Sequence, residues 1–132
     1  MNRKVCVVTG ASRGMGRGIA LVLAKEAGCY VYATARDKEA LNALAEEVSQ
    51  SDTDGKIAPC ELDQNDDKAV QNFVENLLEK ESRVDLLVNS AYAGLIALAP
   101  HCGKPFWERP ISVFDASVMI GLRSSFVISS LI

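Results

Sequence analysis

The residues best suited to chemistry are Thr9-Gly10-Ala11-Ser12-Arg13-Gly14-Met15-Gly16, three glycines lying between a β-branched apolar run and a stretch with helical spacing. Glycine at 10 permits a tight turn, at 14 lets the backbone approach an anion, and at 16 allows a helix and a strand to pack closely. The first amides of the helix that follows lack intrahelical acceptors, and the helix dipole adds partial positive charge, so this corner can hold a diphosphate. The same letters could make a plain turn. Their place directly after a strand and before a helix is what argues for a dinucleotide site. Charge then suggests which dinucleotide. Binders of NAD(H) commonly present an acid at the end of the second strand, but here that position falls near Ala35, followed by Arg36, with no acid before Asp37. Guanidinium groups at Arg13 and Arg36 can make charge-assisted bonds to a 2′-phosphate. NADP(H) is therefore expected in preference, with NAD(H) as the alternative.

Other candidate chemistry is thin. His101 is the single histidine and neighbours Cys102 in a loop, a poor geometry for a nucleophile and its base. The four cysteines, Cys6, Cys29, Cys60 and Cys102, show no C-x-x-C spacing, so reduced thiols are expected and no zinc site is predicted. Asp66-Asp67 and Glu46-Glu47 are adjacent carboxylates that should point apart on helices and face water. Phe106 and Trp107 could line a substrate pocket or anchor a loop on the core.

The elements that must position the glycine loop follow from periodicity. Residues Lys4 to Thr9 form an unbroken apolar run, as in a strand covered on both faces. Ile19, Ala20, Leu23, Ala24 and Ala27 recur at helical spacing up to the stop at Gly28. The unit repeats with a strand from Tyr30 to Ala35 and a helix from near Asp37 whose apolar face is Leu41, Leu44, Ala45 and Val48. A third strand, Lys56 to Leu62, carries Pro59 and so suits a sheet edge. Asn65 or Asp66 should cap a helix with Val70, Phe73, Val74, Leu77 and Leu78 inward, before a fourth strand at Val84 to Asn89. Residues Ala93 to Pro110 lack a clear period and read as a functional loop. Ser112 can then cap a last helix with an inward stripe of Val113, Phe114, Ile120, Val127, Ile128 and Leu131. Strands alternating with helices of this length imply an α/β fold, a Rossmann-like doubly wound parallel sheet with right-handed crossovers.

A length of 132 residues suits one domain, and 48% apolar with 23% charged residues is an ordinary globular balance. The net charge of -3 offers no basic stripe, so nucleic acid is not an expected partner. The amino terminus has no signal-peptide core, and the apolar end from Phe126 to Ile132 falls short of the roughly 20 residues that span a bilayer. An intracellular, cytoplasmic protein without an integral membrane span is the expectation.

The spelling T-G-x-x-x-G-x-G resembles the short-chain dehydrogenase/reductase family. Leu62-Asp63 resembles that family's third-strand end beside the adenine, and Asn89-Ser90-Ala91 its N-N-A-G segment. The groups Asn89 to Gly94, Phe106-Trp107-Glu108 and Gly121-Leu122-Arg123 resemble one branch of it. The resemblance implies a cofactor site at Gly10, Ser12, Arg13, Gly14, Met15, Gly16, Arg36, Asp63, Asn89 and Ala91, and action on a small carbonyl or alcohol substrate. It also implies a catalytic tyrosine and lysine spaced Tyr-x-x-x-Lys, in which the lysine lowers the phenol pKa. The three tyrosines, Tyr30, Tyr32 and Tyr92, are followed four residues on by Thr34, Arg36 and Ile96, so that motif is absent and no catalytic residue is assigned. Gly121 stands where the family places an asparagine. Ile128-Ser129-Ser130 is similar to the family's serine strand, although helical continuation from Ser112 fits the spacing better. Residues 1–132 are thus expected to be one incomplete dinucleotide-binding domain of about four strands in the order 3-2-1-4. It would be an oxidoreductase half or, alternatively, a non-catalytic nucleotide-binding or structural module. Its open edge at Val84, Leu86, Leu87 and Val88, or a small-residue face at Ser117, Gly121 and Ser124, could support an oligomer.

Overall fold

The computed structural model describes residues 3–132. Four parallel strands, β1 (Val5–Thr9), β2 (Tyr30–Ala35), β3 (Lys56–Glu61) and β4 (Leu86–Val88), form a sheet in the order β3-β2-β1-β4. Helices α1 (Gly14–Lys25), α2 (Lys38–Ser49) and α3 (Asp67–Glu81) make the crossovers. This is the expected doubly wound architecture, and Pro59 does lie on the edge strand β3, opposite Ala33.

Alternation along β1 divides the core. Cys6 and Val8 face one layer with Ala20, Ala24, Leu41, Leu44 and Val48 from α1 and α2. Val5 and Val7 face the other, with Val70, Val74 and Leu77 of α3 and Ile128 of the last helix. Successive side chains of a strand point to opposite faces, so an unbroken apolar run is the signature of a strand covered on both. The helix starts match their capping residues: Asp37 accepts from Ala40 N at 3.0 Å and Asp66 from Ala69 N at 3.0 Å. At the opposite end of the sheet from the glycine loop, Val5 N donates to Asp85 Oδ2 at 2.7 Å, joining β1 to the approach of β4.

Beyond β4 the expectations need correction. The stretch from Ala93 to Pro110, expected as a functional loop without a period, holds α4 (Gly94–Leu98) and single 3-10 turns at Ala99–His101 and Phe106–Glu108. A last helix runs from Ile111, not from a cap at Ser112, through α5 (Ile111–Ser117), a widened π segment (Val118–Arg123) kinked at Ile120, and α6 (Ser124–Leu131). Ile128-Ser129-Ser130 is helical, in line with the helical continuation that the spacing favours. Of the expected inward stripe only Ile128 is fully buried, while Phe114 is 63% exposed. The π segment adds residues to one turn and so rotates the two halves' faces relative to a single 3.6-residue period. Residues Ile111–Leu131 make 21 residues, with a mean hydropathy of 1.5 over an 18-residue window, long and apolar enough by length and composition to cross a membrane. The shorter count from Phe126 understated this run. In the fold it is docked on α3, where Arg123 donates to both carboxylate oxygens of Asp67 at 2.7 and 2.6 Å.

Candidate functional site

The glycine loop sits at the carboxyl end of the central strand β1, between the ends of β2 and β3 on one side and of β4 on the other. A cleft of ≈ 710 Å³ opens there. Gly10 has φ +63, and a Cβ on it would lie 2.7 Å from Ala91 Cα and 2.8 Å from Ser90 O. The turn therefore requires glycine both for its conformation and for its approach to the segment after β4. Gly14 also has a positive φ, +59, but space is open where its Cβ would be. A Cβ on Gly16 would run into the carbonyl of Gly10, so this glycine lets α1 close onto the loop.

Arg13 caps α1 in extended conformation and no side chain bonds to the helix start. Among the described residues no backbone carbonyl accepts from the amides of Gly14, Met15 or Gly16 either. Free donors in an open cleft at a helix start are what an anion needs. Thr9 holds the opposite wall: its Oγ1 accepts from Ser90 N and Ala91 N, each at 3.1 Å. Nothing in the sequence flagged Thr9 beyond the spelling of the loop, yet it ties β1 to the segment after β4.

Nine of the ten expected cofactor residues, Gly10, Ser12, Arg13, Gly14, Met15, Gly16, Arg36, Asp63 and Ala91, line the cleft. Asn89 does not. Its Nδ2 donates to Ser129 Oγ at 3.0 Å, toward the last helix, while Ser90 and Ala91 line the cleft. Arg13 and Arg36 make no hydrogen bond or ion pair among the described residues, whereas Arg17, Arg83 and Arg123 are all paired. Asp37 also lines the cleft, with its carboxylate held as the α2 cap. Asp63 Oδ1 accepts from Asn65 N at 2.9 Å. Two further lining residues escaped the sequence reading. Thr34 Oγ1 and Gln64 Nε2 are buried without a partner, and a buried polar atom left unpaired is costly unless a ligand or water meets it. A ligand with a diphosphate and a hydrogen-bonding heterocycle fits these groups.

Several other candidates find structural roles. Phe106 and Trp107 line no part of the cleft: they are 77% and 72% exposed and pack edge to face on each other at 5.3 Å. Glu47 does not simply face water, since Arg17 and Lys25 bond to it at 2.5 and 2.8 Å and hold its carboxyl below the usual range. Asp66 is the α3 cap and Asp67 the partner of Arg123, which lowers its pKa. Burial, helped by the neighbouring Cys29 thiol, pushes Cys6 up to about 12, so it is an inert core thiol. The small-residue face expected for self-association is occupied within the molecule: Ser117 and Gly121 meet Tyr92, and Ser124 is buried.

Residues 4–132 match the sequence pattern of the family described as short chain dehydrogenase. The chain is 43% identical over 130 residues to mouse (Mus musculus) dehydrogenase/reductase SDR family member 1, covering 98% of this chain and 41% of that protein. The chain thus spans about two-fifths of the length of that relative. Among solved structures it resembles a metagenomic short-chain oxidoreductase in complex with NADP, at TM-score 0.78 and 29% identity over 97% of this chain and 54% of that one. It also resembles a 7 alpha-hydroxysteroid dehydrogenase complexed with NADH and a 7-oxo bile acid, at TM-score 0.79 and 28% identity, covering 97% and 46%.

Proposed function

The chain belongs to the short-chain dehydrogenase family, and from that premise we propose that it binds NADP(H) in preference to NAD(H), as the nucleotide-binding part of an oxidoreductase acting on a carbonyl or secondary alcohol. The family uses NAD(P), and similar folds occur with NADP and with NADH, so the fold alone does not choose between them. One observation carries the choice: Arg13 and Arg36 line the cleft without a hydrogen-bond or ion-pair partner among the described residues, and Asp37, the acid that follows Arg36 in sequence, caps its own helix. A 2′-phosphate between two guanidinium groups gains charge-assisted bonds that a bare ribose hydroxyl does not.

The residues divide the work by position. Amides of Gly14, Met15 and Gly16 would hold the diphosphate. Asp63 and the buried Gln64 would meet the base on the β3 side, and Thr9 keeps the Ser90-Ala91 wall in place. The chemistry supplied by a bound nicotinamide is hydride transfer at a carbonyl carbon. Such a transfer also needs a group that moves the proton. This sequence holds no Tyr-x-x-x-Lys, and a glycine, Gly121, stands where the family has its asparagine. The 132 residues are therefore read as binding the dinucleotide without turning it over by themselves.

Titration with NADPH and NADH, followed by calorimetry, tests the preference. Tighter binding of NADPH is expected, and Arg36→Ala should remove about ten-fold or more of that difference, as for a hydrogen bond to a charged group. Equal affinity for the two cofactors in the parent protein would overturn the assignment. NADPH oxidation over a panel of carbonyls should stay at background, and turnover would show that other residues of this chain supply the proton.

A further inference from the structure

The cleft has two unlike ends. Because the order is β3-β2-β1-β4, Arg36, Asp63 and Gln64 lie on one side of the glycine loop, and the segment after β4 lies on the other. That second side is apolar, formed by Tyr92, Leu95, Ile96 and Ile120. Tyr92 is the one aromatic side chain lining the cleft among the described residues.

Its ring is held on three sides. A Cβ on Gly121 would come within 3.0 Å of Tyr92 Cδ2 and 3.3 Å of Cε2, so the ring edge rests on a residue with no side chain. A Cβ on Gly94 would collide with the Tyr92 hydroxyl and with Ser117 Oγ. The hydroxyl lies 3.2 Å from Ser117 Oγ. Ser117 already donates its one proton to Val113 O at 2.9 Å, so the phenol must be the donor in this pair. The phenolic proton is thereby engaged within the protein, and the part of Tyr92 left to a ligand is the ring itself, in a residue that is still 50% exposed. Its backbone is anchored too, because Thr9 Oγ1 takes the two preceding amides, Ser90 N and Ala91 N. Gly121 lies in the widened Val118–Arg123 turn, and such π segments are frequent at functional sites.

We propose that Tyr92 is a specificity-determining aromatic wall for the non-adenylyl half of the dinucleotide, with Gly94, Ser117 and Gly121 as its positioning residues. This rests on the dinucleotide reading above. With the diphosphate on the glycine-loop amides and the adenylyl half toward Arg36 and Asp63, the other half extends past Ala91 to the ring. A flat pyridine heterocycle against an aromatic face is a contact of the kind worth on the order of ten-fold in affinity.

The test compares two probes, NADPH and 2′,5′-ADP, the second lacking the half that would meet Tyr92. The parent should bind both. Tyr92→Ala should weaken NADPH about ten-fold and leave 2′,5′-ADP within about two-fold, in line with a single stacking contact. Tyr92→Phe keeps the ring and should hold NADPH within about two-fold, while Gly121→Ala, whose Cβ displaces the ring, should fall between the two. Circular dichroism and thermal melts check that each variant is folded. If Tyr92→Ala does not fold, Tyr92→Leu fills the glycine cradle without a flat ring and should show the same selective loss. Equal weakening of both probes would mean that Tyr92 only supports the fold, and unchanged NADPH affinity would mean that the ring touches nothing; either overturns the proposal. A loss in Tyr92→Phe as large as in Tyr92→Ala would overturn the assignment to the ring. A parent that binds neither probe overturns the dinucleotide reading itself, an outcome distinct from binding both with no selective effect.

Discussion

The three strand-helix units before β4 and the helical stretch from Gly94 onward use similar residues to opposite effect. In the first region α2 and α3 bury Leu41, Leu44, Val48, Val70, Val74 and Leu77 against the sheet, and α1 closes on it through Gly16, Ala20 and Ala24. In the second, Phe106, Ile111, Phe114, Leu122 and Phe126 are more than half exposed, and Ile128 alone among the apolar residues of the last helix is fully buried. Apolar residues count toward stability only when something covers them, so composition describes both regions alike while burial separates them.

The largest effects should test that contrast directly. Leu44→Ala removes a side chain with no exposed surface and should cost about 2–5 kcal/mol in urea unfolding, whereas Phe126→Ala should stay within about 0.5 kcal/mol. Ile128→Ala should behave like Leu44→Ala although it lies in the second region, because it packs on α3. If Phe126→Ala proves as damaging as Leu44→Ala, the two regions do not differ as described.

Gly10→Ala sharpens the contrast at the place where the regions meet. A Cβ there combines φ +63 with a collision against the backbone of Ser90 and Ala91. Binding of 2′,5′-ADP should be lost and the melting temperature should fall, while Gly18→Ala, in open space on the exposed side of α1, should leave binding unchanged and raise the melting temperature slightly, since alanine is favoured over glycine inside a helix by up to about 1 kcal/mol.

Thiol accessibility gives an intermediate test. Cys6 and Cys29 are buried in the first region, Cys60 is partly buried with its pKa raised by burial, and Cys102 is exposed in the second. An aromatic disulfide reagent at neutral pH should label Cys102 rapidly, Cys60 slowly, and Cys6 only on unfolding. Fast labelling of Cys6 would show that the first region opens easily.

The smallest effects concern exposed charges. Bonding to Arg123 lowers the pKa of Asp67, and bonding to Val5 N lowers that of Asp85. A carboxyl held lower in the folded state than in the unfolded one contributes stability above its ordinary pKa, and that contribution disappears as pH falls through the folded value. Both should therefore lose their contribution only in acid below the usual carboxylate range. Asp67→Asn should flatten part of the acid limb of a pH-stability curve and loosen the last helix slightly, an effect that high salt reduces. A variant with an unchanged curve would show that the ion pair does not hold the two regions together.

The first region was legible because period and packing agree there. The unbroken run before Thr9, the helical spacing of Leu41, Leu44 and Val48, and Pro59 on an edge all follow from local geometry that one face of a strand or helix repeats. The second region was read less well. The widened turn at Val118–Arg123 breaks the single period that placed Phe114 inward, and neither Phe106 nor Trp107 contacts the cleft. The pairing of Asp67 with Arg123, 56 residues apart, and of Asn89 with Ser129, 40 apart, left no local trace.

Residue order and spacing by themselves determined the succession of strands and helices, the glycine turn with its free amides, and the two arginines beside it, because each depends on neighbours within a few turns of chain. Which side chains face the cleft was decided by the tertiary structure. Tyr92 enters it, Asn89 leaves it, and Thr34 and Gln64 are left there with unpaired polar atoms, since those orientations depend on how the segments after β2, β3 and β4 converge around one loop.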